Sequence, residues 1–223
     1  MIRPPGSAPA APTRPRLRGV SHRYARGAAI VAAVAVVVAA PPGVARLGAF
    51  VYGITLVGMF AASASYHAHE WTPQQAARRL HVDHTAIFLF IAGTATPILL
   101  LASSGALRVL VLALVWAVAG AGVTFEWLPV QPPRGYVTAV YLLLGWIGVL
   151  AVGDLWDATG AVGVTLVTLG GILYTVGAVV HAARRPDPWP TVFGYHEIFH
   201  ALVIAAALLQ YCAIAFVVLP LGS

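Results

Sequence analysis

Lysine is absent from this chain, and all 13 basic residues are arginine. Charged side chains of both signs make up only 9% of the 223 residues, against roughly 25% in an ordinary soluble domain. So few charges could not cover a water-soluble surface, which excludes the usual globular classes. There is one cysteine, Cys212, inside an apolar run, so no intrachain disulfide exists and cysteine usage says nothing about redox compartment. A net charge of +6 would suggest nucleic acid in a soluble protein. Here the positions of the arginines matter more than their sum, and no nucleic-acid partner is expected.

What the chain has in abundance is apolar sequence: 60% hydrophobic residues and a mean hydropathy of +0.85. Apolar segments fall at about 27–42, 46–67, 81–102, 106–127, 136–152, 160–182 and 196–219. Each is near the ~20 residues needed to span a bilayer. The first is short and is stopped by Pro41-Pro42. Turn chemistry separates others, at Ser103-Ser104-Gly105, at Gln131-Pro132-Pro133-Arg134-Gly135 and at Arg184-Arg185-Pro186-Asp187-Pro188-Trp189-Pro190. Residues 1–26 are rich in Pro, Ala and Arg without periodicity and read as a disordered cytoplasmic tail; residues 27–223 read as one membrane domain. Val38-Ala39-Ala40 offers small residues for signal cleavage, but the topology below uses this first helix as a span.

The expected fold is all-α, a seven-transmembrane helix bundle. With the N-terminus inside, one side holds Arg3, Arg14, Arg16, Arg18, Arg23, Arg26, Arg78, Arg79, Arg134, Arg184 and Arg185, and the other only Arg46 and Arg108. Eleven against two, in short loops, obeys the positive-inside rule, with the C-terminus outside. Asp154 and Asp157 then fall in an outer loop. The expected location is a cell membrane, crossed several times, and arginine- and alanine-rich usage suggests a bacterial inner membrane.

Eight histidines are many for so apolar a chain. An ionisable group at membrane depth costs roughly 2.5–3.5 kcal/mol on insertion scales, so such groups tend to mark function. His67 ends the second span, Asp83 and His84 open the third, and His196 and His200 open the seventh, all on the cytoplasmic side of the topology. His196 and His200 stand at i and i+4 on one helical face. With His67 they would give three imidazoles to one metal ion and leave a fourth position for water, the pattern of catalytic zinc. Three nitrogen ligands of this softness favour zinc over magnesium or calcium. Ser63 lies one turn before His67, and Asp83 could accept a hydrogen bond from the metal's water or orient a ligand. The alternatives are a helix-end His pair, headgroup histidines and bis-His haem, which needs no neighbouring Ser and Asp.

His196-Glu197-Ile198-Phe199-His200 also fits H-E-x-x-H, the zincin pattern with Glu as base. Here it begins a span, and the third ligand lies upstream, so Glu197 reads as a solvated residue favoured by the helix dipole. His22, His69, His81 and His181 read as interfacial or supporting groups, with His81 and His84 left open. Trp71, Trp127, Tyr136, Trp156 and Trp189 fit an aromatic belt. Gly93, Thr94, Thr96 and Pro97 suit close packing or a kink.

SASYH (63–67), RRLHVDHTAIFLFIAGTATP (78–97) and FGYHEIFHALVIAAALLQY (193–211) resemble the hemolysin III family, which is grouped with the progestin and adiponectin receptors. The resemblance covers roughly residues 20–220. It implies seven helices, an inward N-terminus and a zinc ion near the cytoplasmic leaflet, with the family's motif residues falling on Ser63, His67, Asp83, His196 and His200 and the three histidines as the metal ligands. His81 departs from the family's pattern. The receptors are similar to ceramidase-like lipid amidases. Carried over, this implies a membrane lipid as substrate or ligand, its carbonyl on zinc and the zinc's water attacking. Asp83 would take the proton, and Ser63 would donate to the oxyanion or the water. A zinc-dependent lipid amide or ester hydrolase competes with a membrane sensor or homeostasis regulator holding structural zinc. A pore-forming cytolysin ranks lower, because the spans carry few polar residues away from one end.

Overall fold

The computed structural model describes residues 15–130, 132, 133 and 135–223. Among them there is no strand, only an isolated bridge between Trp189 and Phe193. The helices are α1 (Val20–Ala39), α2 (Val44–Ala68), α3 (Pro73–Ala102), α4 (Gly105–Glu126), α5 (Tyr136–Trp146), α6 (Val152–Ala183) and α7 (Tyr195–Ala213). A short 3₁₀ turn, Ile147–Ala151, joins α5 to α6. Among the described residues, six helical segments are long and apolar enough to cross a membrane.

One of those segments, Tyr136–Ala183, is 48 residues long. At 1.5 Å per residue a straight helix of that length would measure about 72 Å, more than twice a bilayer core. It is not straight. Gly160 sits at φ 62°, ψ −159°, a conformation closed to residues with a Cβ. The Trp146 indole N–H donates to Thr175 Oγ1 at 3.1 Å, although 29 residues separate them. The chain therefore doubles back about Gly160. Asp154 and Asp157, expected in a loop, lie within helix on the near side of this reversal. Asp154 accepts from the Ser103 hydroxyl at 2.5 Å and from the Ser104 N–H at 3.2 Å, capping the α3–α4 turn.

α1 starts at Val20, so residues 20–26, placed in the tail on composition, form its first turns. Their polarity is a property of a helix end lying beside the site described below. Residues 1–14, including Arg3 and Arg14, and Arg134 lie outside the described residues. α3 opens with Pro73 and a reciprocal cap, in which Gln75 N–H donates to Thr72 Oγ1 and Thr72 N–H to Gln75 Oε1.

α3 is the central helix. One face carries Phe90 into a core with Ala49, Tyr52, Leu56, Val203 and Ile214 from α2, α7 and the turn after it. Another carries Phe88, Ala92 and Leu99 against Val111, Val115, Ala119 and Leu144. Small residues allow the close approach, as expected of the Gly93 region: a Cβ on Gly93 would lie 2.8 Å from Thr55 Cβ. Outward faces expose large apolar side chains, among them Val31, Val38, Leu110, Leu143 and Phe216. Such a surface suits lipid and not water.

Gly93→Ala should therefore force α2 and α3 apart and cost about 1–3 kcal/mol, as overpacking does. Gly58→Ala in α2, where nothing lies within 4 Å of the added methyl, should leave stability unchanged or raised. Thermal unfolding of the two variants in one detergent compares them.

Candidate metal centre

α2 ends at one end of the bundle, and α7 begins there. Closure of the bundle, with Tyr211 on α7 donating to the Ala32 carbonyl of α1 at 3.3 Å, brings their ends together. His67 in the last turn of α2 meets His196 in the first turn of α7, Nε2 to Nε2 at 3.0 Å. His200 joins them one turn deeper, its ring centroid 5.0 Å from that of His67 and 4.4 Å from that of His196. One ligand nitrogen from each of the three lies within 4.8 Å of the other two, and all three side chains are buried. Three imidazoles this close and this deeply buried would all reach a cation placed among them. His200 Nδ1 has no hydrogen-bond partner. The three histidines could hold a metal ion.

Ser63, one turn before His67, and Asp83 of α3 are buried beside them. The Asp83 carboxyl faces the Ser63 side chain, and His22 Nδ1 lies 2.8 Å from Ser63 Oγ. The proton order follows from chemistry. A hydroxyl turned toward a carboxylate offers its proton there, which leaves its oxygen to accept from His22 Nδ1–H. The His22 ring also stacks on His200 at 3.6 Å and 7°. The five sequence-predicted residues thus come together. All line a cavity of about 770 Å³ that continues past Ile91, Tyr174 and Val203 to Ser103 and Gln210 at the far end of the bundle.

The sequence is matched over residues 11–211 by the family model described as "Haemolysin-III related". The chain belongs to the hemolysin III family. It is similar to Hemolysin-3 of Bacillus cereus, 31% identical over 173 residues that cover 78% of this chain and 76% of that protein. The human Monocyte to macrophage differentiation factor is 25% identical over 76% of the chain and 69% of its own length. The Adiponectin receptor protein of Drosophila melanogaster is 46% identical over 52 residues, 21% of the chain and 12% of the receptor. The family and the helices together make this an integral, multi-pass membrane protein.

In this hemolysin III chain Glu197 is not the solvated residue its place in the first turn suggested. It is 3% exposed, because Arg18 reaches over it, Nε to Oε1 at 2.9 Å. Its other oxygen accepts the Gly194 N–H at 2.8 Å. With both oxygens so engaged it anchors the start of α7, which speaks against a base of the zincin kind. The segment before α1 is laced to the same region: the Arg16 and Leu17 N–H groups donate to the carbonyls of Thr191 and Val192 at 3.0 and 3.1 Å. Its backbone passes so close to His67 that a Cβ on Gly19 would lie 2.3 Å from the His67 Cβ.

Sequence reasoning left two contributors without a defined role. His22 was read as interfacial or supporting, with no partner named, and Arg18 was only a charge; the two stand at i and i+4, but in a polar stretch ahead of the first apolar run. His181 lies 5.4 Å from His196, ring to ring. His81 and His84 turn away toward Glu126.

Removing one partner of a buried ion pair leaves the other charge uncompensated and costs about 3–5 kcal/mol, less where water reaches it. Arg18→Ala should accordingly lower the unfolding midpoint in detergent more than Glu197→Gln does. The double change Arg18→Met, Glu197→Leu should recover most of the loss.

Proposed function

We propose that this protein is a zinc-dependent hydrolase that cleaves a lipid amide or ester at the cytoplasmic leaflet of a bacterial inner membrane. The observation that carries the reading is the buried trio His67, His196 and His200 at one end of a long apolar cavity, with Asp83 beside it. A cavity of about 770 Å³ lies within the range of ligand sites, and its apolar walls suit an acyl chain.

The donor set fits zinc: three neutral imidazoles, buried and close enough to share one ion. Bound there, zinc would supply Lewis acidity toward the substrate carbonyl and lower the pKa of a coordinated water. The chain's own groups do the rest. Asp83 receives the proton of the attacking water and passes it to the leaving group. Ser63, whose hydroxyl proton is directed at Asp83, orients that carboxylate and is near enough to the centre to serve the oxyanion when substrate is in place. His22 holds Ser63 from behind. Burial of all five groups keeps bulk water away and strengthens each interaction.

The topology belongs to the same reading. Two crossings by the doubled-back segment bring the count to seven, with the N-terminus in the cytoplasm and the C-terminus outside. Among the described residues, Arg16, Arg18, Arg23, Arg26, Arg78, Arg79, Arg184 and Arg185 lie at the metal-centre end, and Arg46 and Arg108 at the other, which supports that orientation. A second reading, a membrane sensor or regulator with a structural zinc, draws on the covering segment Arg16–Gly19, which restricts access to the trio.

The expected metal content is about one zinc per chain by elemental analysis of detergent-purified protein, lost in His67→Ala and in His196→Ala. Asp83→Asn should keep the zinc and lose about 10²–10⁴-fold in turnover of a fluorogenic lipid amide, the usual worth of general acid–base catalysis. Full zinc with no turnover of any lipid amide or ester would leave the regulator reading standing, and equal hydrolysis by His196→Ala would sink the hydrolase.

A further inference from the structure

The α3 residues that turn away from the metal centre form a second constellation. His81 and His84, at i and i+3, lie on one side of α3, and both reach Glu126 at the end of α4. His81 Nδ1 is 2.8 Å and His84 Nδ1 is 3.0 Å from the same carboxylate oxygen, Oε1. Because a carboxylate only accepts, both imidazoles present Nδ1–H to it, and one oxygen holds two protons' worth of donors. Glu126 is 8% exposed, while His84 is 29% and His81 39% exposed. The carboxylate is thus buried, with a path from water through the imidazoles. It also borders a separate cavity of about 230 Å³ between α3, α4 and α5, lined by Phe88, Gly122 and Tyr136.

We propose that His81, His84 and Glu126 form a second metal site, taking a first-row divalent transition-metal ion. Two imidazoles and a carboxylate from two helices are a ligand set suited to zinc, nickel, copper or iron(II), and too nitrogen-rich for magnesium or calcium. The cation takes the place of the two protons now held between the rings and Oε1. Each neutral ring moves its proton from Nδ1 to Nε2, so no net protonation change is needed. The three ligand atoms do not yet converge as those of the His67 trio do; turning the exposed His81 side chain toward a shared ion closes the set. Tyr141, whose hydroxyl donates to the His84 carbonyl at 3.1 Å, holds the backbone of α3 at this point. Nothing in this site shares a ligand with the His67 trio, so it binds or fails to bind independently.

Trp127 gives the site its own reporter, for its ring lies 5.5 Å from that of His81. The experiment titrates Ni²⁺ into chelator-stripped, tag-free protein in detergent and reads tryptophan emission, for wild type and in the His196→Ala background, which disables the first centre. A saturable quench at one equivalent is expected in His196→Ala. It should be lost on adding His81→Ala or Glu126→Gln, and most of its amplitude should go with Trp127→Phe. Glu126→Gln keeps a hydrogen-bond acceptor for both rings; if it nevertheless fails to fold, His81→Ala alone carries the comparison. No saturable quench in His196→Ala, or a quench unchanged by His81→Ala, would overturn the proposal and leave the cluster as a clamp between α3 and α4.

Discussion

Three imidazoles carried by helices that are not neighbours in sequence must meet at one point, and most of the bundle's site end follows from that requirement. His67 is fixed at the end of α2 and His196 at the start of α7, so α7 has to return to the opening pair of helices. Its contact with α1 through Tyr211 accomplishes this. The start of α7 must also be held against fraying, since a turn lost there would carry His196 away. Glu197 and Asp187 provide that hold: Glu197 accepts the Gly194 N–H and Asp187 the Tyr195 N–H at 3.0 Å, two carboxylates at a helix N-terminus where the dipole favours them. Arg18 then neutralises the buried one. The ion pair, the cap and the laced segment before α1 are supports for the position of one ring.

The helical segments were legible in the sequence because hydropathy in a chain this poor in charge has few competing explanations. The trio, with Ser63 and Asp83, was legible for a different reason: five polar groups at matching depths on three spans stand out against an apolar background. What could not be read was the role of polar residues ahead of the first apolar run, and of those whose partners lie far away in sequence. His22 sits among Ser21, Arg23 and Arg26, where composition suggests a tail, and only the fold shows that its ring faces inward. Glu197 looked like an ordinary first-turn acid, and its burial depends on Arg18, roughly 180 residues away. The continuous helix through Asp154 and Asp157 was hidden because acidic residues beside glycines resemble a loop; their helix persists because Asp154 is engaged by Ser103 and Ser104.

α3 shows how one helix can serve three purposes without conflict. Its apolar faces fill two cores, while near its start Asp83 points to the His67 trio and His81 and His84 point to Glu126. Residues 81, 83 and 84 occupy different directions around the axis, because each step along an α-helix turns about 100°. Two polar clusters can therefore be built within one turn and remain separate, each satisfied by a different neighbour. In an apolar medium this separation matters, since a polar side chain left without its own partner would be costly.

The lacing of Arg16 and Leu17 to Thr191 and Val192 also has a meaning in time. A ribosome makes the N-terminal segment first, and at about 5–20 residues per second the loop that receives it emerges roughly 10–40 s later. During that interval Arg18 has no Glu197, His22 has no His200 to stack on, and His67 waits beside an open position. The first described segment to be synthesised is thus among the last to find its place, so a metal ion bound by the trio would have an open path to it up to the moment that the final helix closes over it.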